Sequence, residues 1–193
     1  MKKIIFKNLN EEIYHEKILN KIDLFLYPTN KTKNFYITFS FKYGAKVLRY
    51  SLENSKSQNK IIPGSAHFLE HKIMDANYHK KEFDTINNLG SFSNAYTTYN
   101  GTNYNLFGSE DILTNIKVLF DLVLTPRINE RSVESEKKII SEEIDIYKDD
   151  IIEFLYEKVK YNLFFNAYPK NSVLGEKEDI YKIDYKGLLK IYR

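Results

Sequence analysis

Two of the four histidines in this 193-residue chain, His67 and His71, stand four positions apart, with Glu70 between them. On a helix that spacing places both imidazoles on one face, where they can reach a single ion. Glu70 follows His67 by three positions and flanks the same face, so it can approach a metal-bound water without being a ligand. Zinc lowers the pKa of such a water to about 7, and a neighbouring carboxylate can then take its proton. The bland alternative is a surface helix that carries two histidines and a glutamate.

Catalytic zinc sites take three protein ligands plus water. The chain has no cysteine, so disulfides and thiolate metal sites are excluded and the third ligand must be His, Asp or Glu. His15 falls in a predicted strand and His79 in a polar linker, and both read as ordinary surface histidines. A long helix, predicted from about Asn129 to Lys148, offers better candidates. Ile140, Ile144 and Tyr147 form an apolar stripe on it. Glu136 and Glu143, two turns apart, fall on this stripe, whereas Glu142 lies about 100° away and faces solvent. A carboxylate on a buried face needs a partner, because an unpaired buried charge is costly, and zinc would be such a partner for Glu143. Alternatively, both glutamates sit at the edge of the stripe or pair with lysines.

Several elements must position these groups. Ile13–Ile18 and Ile22–Tyr27 flank Leu19-Asn20-Lys21 as a hairpin. From Asn34 to Tyr43, Phe35, Ile37, Phe39 and Phe41 alternate with Tyr36, Thr38, Ser40 and Lys42, the period of a strand. The polar stretch Leu52–Lys60 reads as a loop. Pro63-Gly64-Ser65 opens the helix that carries the histidines, with Ser65 the candidate N-cap. Lys81–Leu89 reads as a short helix closed by Gly90. Ser91–Tyr99 and Thr102–Phe107 form a hairpin whose Asn100-Gly101 suits a type I′ turn. Helices follow over Glu110–Leu124, ending before Pro126, and over Asp150–Phe165, with Ile152, Leu155, Val159 and Leu163 on one stripe. The segment Tyr185–Arg193 reads as a further helix. Strands, helices, a hairpin and more helices indicate an α+β fold, an antiparallel-rich mixed sheet with helices packed on one face. Residues 1–193 are expected to form a single domain.

With 29 basic and 26 acidic residues and a net charge of +3, the chain lacks the basic stripe of a nucleic-acid binder. Lys80-Lys81 and Lys137-Lys138 are expected on solvated faces. Aromatic residues are 15% of the chain, all Tyr or Phe, and read as sheet and core packing. Met1-Lys2-Lys3-Ile4-Ile5-Phe6 starts like a signal peptide, but its apolar run stops at Lys7-Asn8. No segment approaches the roughly 18 apolar residues of a membrane span. The expected setting is cytoplasmic, without membrane or nucleic acid as a partner.

The HxxEH order inverts the HExxH of the common zincins, and the chain resembles the pitrilysin/insulinase family of zinc metallopeptidases, which includes mitochondrial processing peptidases. The resemblance runs from about Phe35 to Arg193. Phe41-Lys42-Tyr43-Gly44-Ala45 is similar to the strand end before the family's zinc helix, and Gly64 to His71 to that helix itself. Gly90 to Thr97 resembles its Gly-x-x-x-Asn-Ala-x-Thr strand, Glu136 to Tyr147 the helix that supplies the last ligand, and Ser172-Val173-Leu174-Gly175 a later Pro-x-x-Gly segment with Ser in place of Pro. His-Phe-Leu-Glu-His-Lys resembles a bacterial branch often encoded as paired subunits.

The resemblance implies a zinc metalloendopeptidase acting on short or unfolded peptides, with one zinc per chain held by His67, His71 and Glu143. Its catalytic carboxylates would be Glu70, the general base acting on zinc-bound water, and Glu136, a second carboxylate supporting the site from the same helix face. Asn94, Ala95 and Tyr96 would present backbone to an extended substrate; for Asn94 a plain strand residue is the alternative. Two departures from the family stand out. The interval from His71 to Glu143 is shorter than the family commonly has, with the shortening in the Met74–Lys81 linker. The family also has two homologous halves, of which this chain resembles the first, incomplete at its C-terminus. Either the chain is a truncated piece, or it works as a homodimer or as a heterodimer with a related subunit supplying the second half. Alternatively, the chain is a peptide-binding or scaffold subunit that needs such a partner for activity.

Overall fold

The computed structural model describes residues 1–51, 58–164 and 172–193. The chain falls into two compact units, Met1–Phe35 and Tyr36–Arg193. In the first, β1 (Lys2–Phe6), β2 (Glu11–Ile18) and β3 (Ile22–Leu26) form an antiparallel sheet in that order. The expected β2–β3 hairpin forms, with Ile18 opposite Ile22. Leu19 and Asn20 both take positive φ in its turn. Strand β1 was not expected, because its sequence reads as an aborted leader. Its partner is β2, with Ile4 opposite Ile13.

The second unit holds β4 (Phe35–Phe41) from its second residue onward, the ribbon β5 (Arg49–Tyr50) and β6 (Asn59–Lys60), α1 (Ser65–Ile73), α2 (Lys80–Asn88), β7 (Phe92–Thr97), β8 (Thr102–Gly108), α3 (Ile112–Leu124), α4 (Glu130–Asp149), α5 (Ile151–Leu163), α6 (Lys177–Ile180) and α7 (Tyr185–Tyr192). This is a mixed α+β architecture, as the element order implies. Its main sheet runs β4-β8-β7, with β7 and β8 antiparallel. Strand β4 alternates as the sequence predicts, with Phe35, Ile37 and Phe39 less exposed than Tyr36, Thr38 and Ser40. Phe68, Leu106, Leu119, Val133, Ile140 and Leu188 are all 0% exposed, so the core joins α1, β8, α3, α4 and α7. Among the described residues, no helix is long and apolar enough to cross a membrane.

Several local expectations are corrected. Asn59 and Lys60 are strand, not loop, while residues 52–57 of that expected loop lie outside the described residues. Gly64, not Ser65, caps α1, and the Ser65 hydroxyl instead donates to the Ile62 carbonyl at 2.7 Å. Neither Asn100 nor Gly101 has positive φ, so no type I′ turn forms. Thr97 pairs with Thr102, and the four residues between them close on the Thr98 hydroxyl, which accepts from the backbone N–H groups of Asn100 and Gly101. Gly101 is required by space instead, since a Cβ there would lie 2.5 Å from the Phe41 carbonyl oxygen. Lys137 is not on a solvated face: it is buried and reaches Glu134 and the Tyr181 carbonyl. Tyr147 is 45% exposed, off the buried part of its stripe. No residue of α5 is buried, so its apolar stripe faces outward, and Phe165 at its expected end lies outside the described residues.

Candidate metal centre

Helix α1 begins at Gly64, whose φ of 85° suits only glycine well. A Cβ at Gly64 would lie 2.5 Å from the Leu174 carbonyl oxygen, and one at Gly175 would lie 2.9 Å from the Gly64 Cα. The start of α1 is therefore seated directly against the Ser172–Gly175 segment. Phe68, Leu69 and Ile73 anchor the helix in the core. His67, Glu70 and His71 then line the side of α1 toward α4 and β7, the elements it packs against. Helix α4 opens on a capping box, in which Asn129 accepts from the Ser132 N–H at 2.9 Å and Ser132 accepts from the Asn129 N–H. Its buried residues Val133, Glu136, Lys137, Ile140 and Ile144 follow helical spacing, which turns Glu136 and Glu143 toward α1.

The two helices bring three sequence-predicted donors together. One donor atom each from His67, His71 and Glu143 lie within 4.8 Å of one another. The His67 and His71 Nε2 atoms are 3.2 Å apart, and Glu143 carboxylate oxygens lie 3.7 Å and 3.3 Å from them respectively. Two imidazole nitrogens and a carboxylate converging from one side are a donor set that suits zinc and leaves a coordination position open. Glu142 points away, as expected, with its side chain 64% exposed.

The surrounding hydrogen bonds are asymmetric. His71 Nδ1 lies 3.1 Å from Glu136 Oε1, and because an ionised carboxylate only accepts, Nδ1 carries the proton. This arrangement turns Nε2 of His71 toward Glu143. Among the described residues His67 Nδ1 is buried without a hydrogen-bond partner, so the polar contacts of that ring are made through Nε2, to His71 and Glu143. Glu136 Oε2 accepts from Lys72 at 2.8 Å, and Lys72 also reaches Asp75 at 2.5 Å. Thr97 of β7 donates to Glu70 Oε2 at 2.6 Å. Thr102, 3.4 Å from Thr97, donates to the Tyr43 carbonyl, tying the Glu70 carboxylate to the β7–β8 hairpin.

Burial lowers the His67 pKa to about 4, with help from neighbouring His71. Burial also lowers that of His71, but its hydrogen bonds to Glu136 and Glu143 outweigh this and raise it to about 9. Burial raises the Glu70 carboxyl above the ordinary range, against the Thr97 hydrogen bond. Glu136 and Glu143 are held below it despite their burial, the first by hydrogen bonds from His71 and Lys72, the second by that from His71.

Asn94 and Ala95 line an open groove of about 400 Å³ together with Glu70, His71, Glu136 and Ile139. Among the described residues β7 is an edge strand of its sheet, and its outer backbone groups have no strand partner there. Tyr96 lies on the same strand, 47% exposed, and does not line that groove. His15 belongs to the other unit, where it stacks on Phe25 and its Nε2 lies 2.9 Å from Asp23. His79 is a surface residue only in the sequence reading: it caps α2 and is 0% exposed. Lys72, Asp75 and Thr97 were not singled out as site groups in the sequence. For Lys72, its place directly after His71 was the one available signal.

Residues 55–177 match the family described as Insulinase (Peptidase family M16). The chain is 30% identical to "Uncharacterized zinc protease YmfH" of Bacillus subtilis over 192 residues, which is 100% of this chain and 45% of that protein. It is 27% identical to the mitochondrial-processing peptidase subunit beta of Bos taurus over 139 residues, covering 70% of this chain and 28% of that one. The crystal structure of a putative M16-like peptidase from Alicyclobacillus acidocaldarius superposes with a TM-score of 0.87 at 25% identity, over 94% of this chain and 42% of that one. The fold also matches a peptidase M16 domain from Pseudomonas fluorescens described as inactive, with a TM-score of 0.74 at 12% identity, over 93% and 42%. The chain spans less than half the length of the curated relatives named here.

Proposed function

Because the chain belongs to the insulinase family, peptidase family M16, we propose that it is the zinc-binding half of a metalloendopeptidase that cleaves short or unfolded peptides in the cytoplasm. The observation that carries this reading is the convergence of His67, His71 and Glu143 from two helices onto one point, with Glu70 beside it.

In this proposal His67, His71 and Glu143 hold one zinc ion. Bound there, zinc would supply Lewis acidity toward water and the scissile carbonyl. Glu70 is the general base: the Thr97 hydroxyl occupies one oxygen and leaves the other to take a proton from the attacking water. Glu136 supports the His71 ring, since both its oxygens are engaged by His71 and Lys72. Asn94, Ala95 and Tyr96 offer the β7 edge to an extended peptide, which binds by main-chain hydrogen bonds.

The test is Glu70→Gln. That variant is expected to retain about one zinc per chain while cleavage falls by at least about 100-fold, as for loss of a general base. Full activity in it would remove the mechanism.

A second reading is a peptide-binding or scaffold subunit whose chemistry needs a partner or a second half. The share of its relatives that the chain spans favours it, as does the inactive domain of the same fold. Cleavage by this chain alone would eliminate it.

A further inference from the structure

We propose that Lys72 is a positioning residue of the metal centre, acting through Glu136 on the His71 ring. The inference rests on the zinc reading above. The Lys72 side chain is 1% exposed, and its ammonium is bracketed by Glu136 at 2.8 Å and Asp75 at 2.5 Å. A buried ammonium is tolerated only when paired and hydrogen-bonded. Here the pairing reaches the site. Glu136 holds Lys72 with Oε2 and His71 Nδ1 with Oε1, so one carboxylate is fixed by two donors and cannot rotate without breaking one bond.

Such a carboxylate behind a ligating histidine sets which ring nitrogen carries the proton and where the other nitrogen points. Lys72 adds a second constraint behind that carboxylate, with Asp75 fixing the ammonium from the linker that follows α1. Without Lys72, Glu136 is half-satisfied and free to turn, and His71 loses its fixed acceptor. A purely structural role would confine the effect of Lys72 to its ion pair with Asp75.

Two measurements separate these roles. The first is the zinc dissociation constant, by chelator competition, of the full chain and its Lys72→Met, Glu136→Gln and double variants. Each single change is expected to weaken binding by about 10-fold to 100-fold, and the double variant to bind no worse than Glu136→Gln. Losses that multiply, or wild-type affinity in Lys72→Met, overturn the proposal. The second uses metal-free protein. The His71 Nδ1 proton is expected as a slowly exchanging ring resonance by NMR, and Lys72→Met is expected to lose it. Persistence of that resonance at an unchanged shift also overturns the proposal. If wild-type protein takes up no zinc, the zinc reading fails and the ring proton alone judges Lys72. Lys72→Gln, which keeps the stem and a donor but no charge, carries both readouts if the methionine variant does not fold.

Discussion

His67 and His71 share their carboxylate neighbours yet sit in opposite electrostatic states. His67 is held neutral down to about 4, whereas His71 keeps its proton up to about 9. A cation binding at His71 Nε2 must displace that proton, and metal affinity follows ligand protonation. Below the raised pKa protons compete with zinc, and above it they do not. Apparent zinc affinity is therefore expected to rise from neutral pH to about 9 and then level off, with proton release visible by calorimetry in buffers of different ionisation enthalpy. A flat profile would contradict this. Thr97 affords a second prediction. Its hydroxyl makes a charge-assisted bond to Glu70, and bonds of that kind contribute about 1.5–3 kcal/mol. Thr97→Val is expected to lower kcat by about 10-fold or more, with KM and zinc content unchanged, while Thr97→Ser restores it. An equal loss in both variants would assign Thr97 to strand packing instead. Helical spacing placed His67, Glu70 and His71 on one face and Glu136 and Glu143 on another, because each pattern is local, while the choice of Glu143 as the third ligand came from the family resemblance. Thr97 and Lys72 were not legible as site groups, since their partners arrive from other elements.

Helix α4 shows what can be read from a single element. Its apolar period located it to within a residue at each end, and its Asn-x-x-Ser capping box was present in the sequence although unremarked. Ile140, 0% exposed, lies between Glu136 and Glu143 along the same face. Ile140→Ala is expected to cost about 2–5 kcal/mol of stability, measured by denaturant unfolding. Zinc affinity should fall with it, because the two glutamates share the helix face that loses its contact. A destabilised variant with unaltered affinity would show that the carboxylates are held independently of that contact. The β7–β8 hairpin was also legible, but its turn was not. Asn100-Gly101 carries a local preference for positive φ, and the hydroxyl of Thr98 together with the nearby Phe41 backbone overrode it. His79 was misread for a similar reason: a polar linker sequence does not disclose that the residue opening α2 will be enclosed.

At the scale of the molecule, α5 exposes its apolar residues, with Ile152 at 70% and Leu155 at 60%. In the proposed reading, this exposed face and the share of its relatives that the chain spans fit a companion subunit or second half. Peptide cleavage is expected to rise steeply when the chain is titrated with a related subunit and to saturate at equal amounts. Full cleavage without one would show that this chain is sufficient.

The seating of Gly64 against Gly175 adds a consequence for how the protein comes into being. The backbone that opens α1 touches backbone more than a hundred residues downstream. On a ribosome, α1 would emerge long before its seat exists. The centre would then be completed only after Gly175 has emerged, and a nascent chain stopped before Ser172 would carry every proposed zinc ligand with the opening turn of the first of its two helices still without its seat.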